Sequence, residues 1–129
     1  MLNYDNNGRL DEALKENTVR RFESGATRSG GVKLEYTRFF DARVNKRLAE
    51  YMHKHREQAD GTLRDPDNWK KGIDKESYVA SLARHEKDTE LWLQGYPEEM
   101  TETIEDSLLA IMFNAHGMLY EILKEQPNG

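Results

Sequence analysis

The chain has 129 residues, of which 36% are hydrophobic and 33% charged, with a net charge of −5 and no cysteine. That length supports one domain with a modest core, and the lack of cysteine excludes disulfides, thiolate zinc sites and cysteine nucleophiles. The acidic balance argues against polymeric nucleic acid, which needs a basic surface, while allowing a small anionic ligand in a local basic pocket.

Residues 1–33 read as an irregular polar arm. "MLNYDNNGRL" lacks the apolar core of a signal peptide. No stretch reaches the roughly 18 apolar residues of a membrane span, so a cytoplasmic protein without membrane contact is expected. A short helix over Leu10–Glu23 is one option within the arm, whereas "ESGATRSGG" holds too much Gly and Ser for a regular element. In "FFDARVNKRLAEYMHKHREQA" the helical period becomes clear, with Val44, Leu48, Tyr51, Met52, His55 and Ala59 on one face.

"DGTLRDPDNWKKG" is turn chemistry, a long loop on which Trp69 is the one anchoring residue. Asp74 is the expected N-cap of a helix over Lys75–Gln94. "QGYPEE" stops that helix, and another starts near Pro97 or Thr101. The last helix carries a wide apolar arc of Ile104, Leu108, Ile111, Met112, Ala115, Leu119, Ile122 and Leu123. No strand pattern and no internal repeat stand out.

The expected fold is all-α: a bundle of three main helices over residues 34–124, with a long loop, the irregular arm at 1–33 and a disordered tail at 125–129. So wide an apolar arc implies two contact surfaces, one internal and one for a partner subunit. A homo-oligomer is therefore expected.

Several ionisable residues interrupt the apolar faces. Wound as a helix, "SYVASLARHEKDTELW" places Trp92, His85, Tyr78, Thr89, Leu82, Leu93, Glu86 and Val79 on one arc. His85 and Glu86 are costly to bury there unless something pairs with them. Glu105 and His55 project inward from the other two helices, so these groups can satisfy one another where the helices converge. The plainer reading is that the histidines are hydrogen-bonded core residues and that Glu105 complements the helix dipole.

His85 and Asp88 stand at i,i+3 with Glu86 beside them, and so do Glu102 and Glu105, followed by Asp106. Facing pairs of this kind can hold a hard divalent cation such as Mg²⁺, which recruits phosphate oxygens and so points to nucleotide chemistry. Ser107, Asn114 and Glu121 form a second polar stripe. Asn114 serves either a buried hydrogen bond or a ligand contact. The anion-binding candidates are Lys33, Arg38, Lys70, Lys71 and Arg84, among which Lys33 and Arg84 stand out.

The order "FESGATRSGGVK", "RLAEYM", "NWKKGI", "YVASLARH" and "IEDSLLAIMFNAHGML" resembles a phage and bacterial family of dATP/dGTP diphosphohydrolases, over roughly residues 22 to 120. The most specific pieces are Asn68, Trp69 and Gly72, then Arg84-His85, then Glu105-Asp106 with Asn114. The family is similar to the all-α MazG-type nucleotide pyrophosphohydrolases, which use magnesium held by helix carboxylates. The resemblance implies a metal site at Glu105 and Asp106. It implies phosphate contact or water activation by Arg84 and His85, and a base pocket shaped by Asn68 and Trp69.

The chain departs from the family where Ser107 replaces a histidine, Phe113 replaces a tryptophan and "REQADGT" replaces a Gly-Ala-x-Lys-Tyr-Gly segment. The leading expectation is Mg²⁺-dependent hydrolysis of (deoxy)nucleoside triphosphates to monophosphate and pyrophosphate. On that expectation His85, Glu105 and Asp106 are catalytic. Lys33, Arg38, Asn68, Trp69, Arg84 and Asn114 bind nucleotide, and Glu86, Asp88, Glu102, Glu105 and Asp106 hold metal. The alternatives are a non-catalytic nucleotide-sequestering protein, working in host cytoplasm if phage-encoded, and a helical scaffold without ligand.

Overall fold

Three short polar side chains decide where the main helices begin. Asp41 accepts the backbone N–H groups of Arg43 and Val44 at 2.8 and 3.2 Å, Asp74 that of Ser77 at 2.7 Å, and the Thr103 hydroxyl that of Asp106 at 3.1 Å. Each satisfies donors that the first turn leaves unpaired. In the computed structural model, which describes residues 19–21, 23–29 and 33–126, these caps open α2 (Ala42–Lys54), α3 (Lys75–Leu93) and α4 (Ile104–Glu125). A shorter helix, α1 (Tyr36–Phe39), precedes them.

The chain divides into two compact units, residues 1–40 and 41–129. In the first, β1 (Val19–Arg21) and β2 (Thr27–Ser29) form an antiparallel hairpin, with Val19 opposite Ser29 and Arg21 opposite Thr27. This corrects the expectation of no strands and of irregular backbone through "ESGATRSGG". The Gly and Ser there make the turn, where Gly25 adopts φ 91° at no steric cost. The helix expected over Leu10–Glu23 fails at its C-terminal end, because Val19–Arg21 is strand; residues 10–18 lie outside the described residues. Apart from the hairpin, the described fold is all-α.

In the second unit, α4 packs against both α3 and α2. On α4 the small and polar residues, rather than most of the bulky ones, turn toward the interior. Buried on α4 are Ser107, Leu109, Ala110, Asn114, Gly117 and Glu121, so the polar stripe faces inward. Of the wide apolar arc, Leu108, Met112, Leu119 and Ile122 are exposed, while Ile104, Ile111 and Leu123 are half-buried. The reason is size. Ser107, Ala110 and Gly117 let α3 come close, and the Tyr78 ring fills the space above Gly117, which leaves the bulky residues to the outer face.

On α3 the buried residues are Tyr78 and Asp88, with Ser81, Leu82, His85 and Thr89 half-buried. Val79, Glu86, Trp92 and Leu93 are exposed, so the inner face is rotated toward Ser81 and Asp88 relative to the expected arc. The first long helix stops at Lys54, short of Ala59, and α4 continues through Glu125 into the expected tail. No described helix is long and apolar enough to cross a membrane.

Candidate functional site

After α2 the chain folds back on itself. The Arg64 N–H donates to the Arg56 carbonyl at 2.8 Å, Glu57 and Leu63 bridge, and Gly61 turns the corner with φ 84°. The two arginines lock this turn reciprocally: Arg56 Nε donates to the Arg64 carbonyl at 2.7 Å, and Arg64 Nη1 to the His55 carbonyl at 2.9 Å. Asp60 accepts from the Thr62 hydroxyl and N–H, which holds its carboxyl below the usual range.

The rest of the loop is pinned to α4. A 3₁₀ turn, Asn68–Lys71, presents Trp69 edge-on to Phe113, His116 and Tyr120, at centroid distances of 6.3, 5.3 and 4.8 Å. At the loop's end the Ile73 N–H donates to the buried Glu121 at 3.3 Å. The hydrogen bond from Lys124 is the main reason that the Glu121 carboxyl lies below its ordinary range. Trp69 is thus the anchor the sequence suggested.

Between α2, this loop and the α3–α4 pair lies a cavity of about 550 Å³, a size typical of small-molecule sites. Trp69 and Phe113 supply aromatic surface to its wall, Arg56 and Arg64 positive charge, and Asn68 and Asn114 amides. The Asn114 Nδ2 donates to the Ala110 carbonyl at 2.8 Å. Because that carbonyl only accepts, the Asn114 Oδ1 is left as the free acceptor.

His85 and Glu102 stand side by side on the same wall. Glu102 Oε1 accepts from His85 Nδ1 and, at 3.3 Å, from the fully buried Ser107 hydroxyl. A carboxylate only accepts, so Nδ1 carries a proton, and in the neutral imidazole the lone pair then sits on Nε2. This is the arrangement that orients an imidazole as a general base. Burial first, and the nearby charges of Glu102 and Asp106 second, push the phenol of Tyr51, also on the wall, up from its ordinary value.

Of the residues singled out from sequence, His85, Glu102, Asn68, Trp69 and Asn114 meet at this cavity. Glu105 does not point inward: it is exposed and ion-paired with Arg47 of α2. Glu102 precedes the helix, so it and Glu105 are not a pair on one helical face. Glu86 and Arg84 are exposed on α3, and Asp106 is half-buried in the first turn of α4. Asp88 is buried, 4% exposed, and accepts from the Thr101 N–H and hydroxyl. Lys33 and Arg38 belong to the first unit and are exposed there.

Sequence reasoning missed Arg56, Arg64, Asp65 and Phe113 as wall residues. The one available signal was the pair of arginines flanking the Asp-Gly turn.

Among the described residues no three His, Asp or Glu side chains gather closely enough to hold a metal ion. A cage of protein ligands for magnesium would need such a group. The donor set fits the ion's other habit, in which one or two carboxylates and several waters share it with substrate phosphates. Asp65 and Glu102 are the carboxylates on the wall. No family model, curated protein or solved structure matches the chain.

Proposed function

We propose that the protein binds a nucleoside triphosphate in this cavity and hydrolyses it to monophosphate and pyrophosphate. One observation carries the reading: an aromatic pair, two guanidiniums and a carboxylate-backed imidazole line a single cavity of nucleotide size. The base lies against Trp69 and Phe113, whose faces accept any flat ring. The phosphates lie beside Arg56 and Arg64, whose planar forks suit phosphate oxygens. His85 Nε2 takes a proton from water as its oxygen attacks the α-phosphorus. The bond to the bridging oxygen breaks, and pyrophosphate leaves. Glu102 holds the imidazole in the required tautomer and stabilises the cation it becomes. Asp65 and Glu102 are the groups that would hold a magnesium ion shared with the phosphates, which would neutralise part of their charge.

Kinship with the dATP/dGTP diphosphohydrolases belongs to the same proposal, supported by Asn68, Trp69 and His85 sharing the cavity wall. So does self-association. Leu108, Met112, Ala115, Leu119 and Ile122 recur at alternating spacings of four and three along the outer face of α4, which suits a matching helix from a second copy. On this reading the protein works in the cytoplasm on the free nucleotide pool.

A second reading, binding without turnover, is favoured by the engagement of Glu105 with Arg47 and of Asp88 with Thr101, which removes two carboxylates from metal service. Incubation with each deoxynucleoside triphosphate and Mg²⁺, following both products and bound ligand, separates the two. Pyrophosphate release supports the enzyme, and retention of intact nucleotide supports the binder. Neither outcome leaves a scaffold without ligand and ends the proposal.

A further inference from the structure

We infer that Asp88 is a positioning residue: through Thr101 it fixes the segment that carries Glu102, and so sets the His85–Glu102 pair at the cavity wall. His85 and Asp88 stand one turn apart on the inner face of α3. Thr101 and Glu102 are adjacent in the non-helical stretch between the 3₁₀ turn Pro97–Glu99 and the Thr103 cap. Two neighbouring residues on one helix thus grip two consecutive residues of the incoming chain.

The grip has physical substance. A single oxygen of Asp88 accepts the Thr101 hydroxyl at 2.7 Å and the Thr101 N–H at 3.1 Å. Hydrogen bonds to an ionised acceptor are roughly twice as strong as neutral ones. The stretch they hold has no helical ladder of its own to fix it, and among the described residues Glu102 is otherwise tied only to His85 and Ser107. An unpaired carboxylate this deeply buried would be costly. Here it holds a segment, which also explains why Asp88 is not free to ligate a metal. Without the tether, Glu102 turns toward solvent and His85 loses the acceptor that fixes its tautomer.

The inference rests on His85 acting as the base, yet its test needs no nucleotide. In the ¹⁵N-labelled full-length protein, the His85 Nδ1–H should give a resolved downfield proton resonance protected from exchange with water. Glu102→Gln, which replaces the charged acceptor, assigns it by shifting it. Asp88→Ala should abolish the signal with the helical circular dichroism intact. Thr101→Val, which keeps shape and N–H but removes the stronger bond, should broaden it, and Thr101→Ser should restore it.

A folded Asp88→Ala protein with the wild-type resonance overturns the inference, as does a wild type that lacks the resonance. If Asp88→Ala does not fold, Thr101→Val decides: an unchanged signal there is equally fatal. Where turnover is present, Thr101→Val should lower kcat by about 10²-fold or less with nucleotide affinity preserved. Failure to bind any nucleotide defeats the proposed function alone and leaves the resonance result standing.

Discussion

The Tyr78 ring of α3 lies directly against Gly117 of α4: a methyl group at Gly117 would lie 2.5 Å from its Cε1, Cζ and Oη. The seam closes only because residue 117 has no side chain. Gly117→Ala is therefore expected to destabilise the fold by about 1–3 kcal/mol. That net loss comes in spite of alanine's helix propensity, which is better by about 1 kcal/mol. Urea denaturation measures it directly. Tyr78→Phe should be neutral or stabilising, because the hydroxyl it removes is buried with no hydrogen-bond partner.

His85 and Glu102 are expected to act on rate rather than on affinity. His85→Asn should lower kcat by about 10²- to 10⁴-fold. Glu102→Gln, which keeps the shape but not the charge, should cost less. Nucleotide binding measured by calorimetry without Mg²⁺ should change little in either variant. Equal losses of binding and turnover would assign the pair to ligand binding.

The cap of α3 gives a pH dependence with a definite sign. Hydrogen bonds from Ser77 hold the Asp74 carboxyl below its ordinary value of 3.8. As pH falls, the unfolded chain takes up the proton first. The cap's contribution is thus fully present above that value and is lost as pH falls through the lower, folded value. Thermal midpoints measured between about pH 2 and pH 6 should therefore fall more steeply toward acid in the wild type than in Asp74→Asn, which keeps a capping oxygen without a titrating group.

The outer face of α4 predicts self-association. Leu119 is 54% exposed and Leu108 47%, while only Tyr78, Leu109 and Ala110 form buried apolar core among the described residues. Leu119→Glu should shift the sedimentation profile from oligomer to monomer and lower the thermal midpoint. A wild type that sediments as a monomer at high concentration would contradict the assignment of that face.

What the sequence disclosed was local. The Asp74 cap, the turn chemistry before Trp69 and the 3.6-residue period of three helices each depend on residues within a few positions. They were legible for that reason. The orientation of α4 was not, because apolar periodicity identifies a bulky face without saying which face a neighbour covers. Here the small residues Ser107, Ala110 and Gly117 set the contact, and Tyr78, distant in sequence on another helix, makes it possible.

The site divides in the same way. His85, Asn68, Trp69 and Asn114 could be suspected from residue type. Arg56 and Arg64 look like ordinary surface charges until the Asp-Gly turn brings them onto one wall. Glu105 looked inward by helical spacing, and only the Arg47 contact from another helix shows it outward.

Nucleotide is expected to occupy the cavity between the loop and the helices. Titration of the ¹⁵N-labelled protein with a non-hydrolysable deoxynucleoside triphosphate analogue tests this most directly. The Trp69 indole N–H, the Asn68 and Asn114 side-chain amides and the Arg56 and Arg64 guanidinium signals should move together and saturate, with Val79 and Glu86 on the exposed face of α3 unchanged. Shifts confined to other surfaces, or none at millimolar analogue, would contradict it.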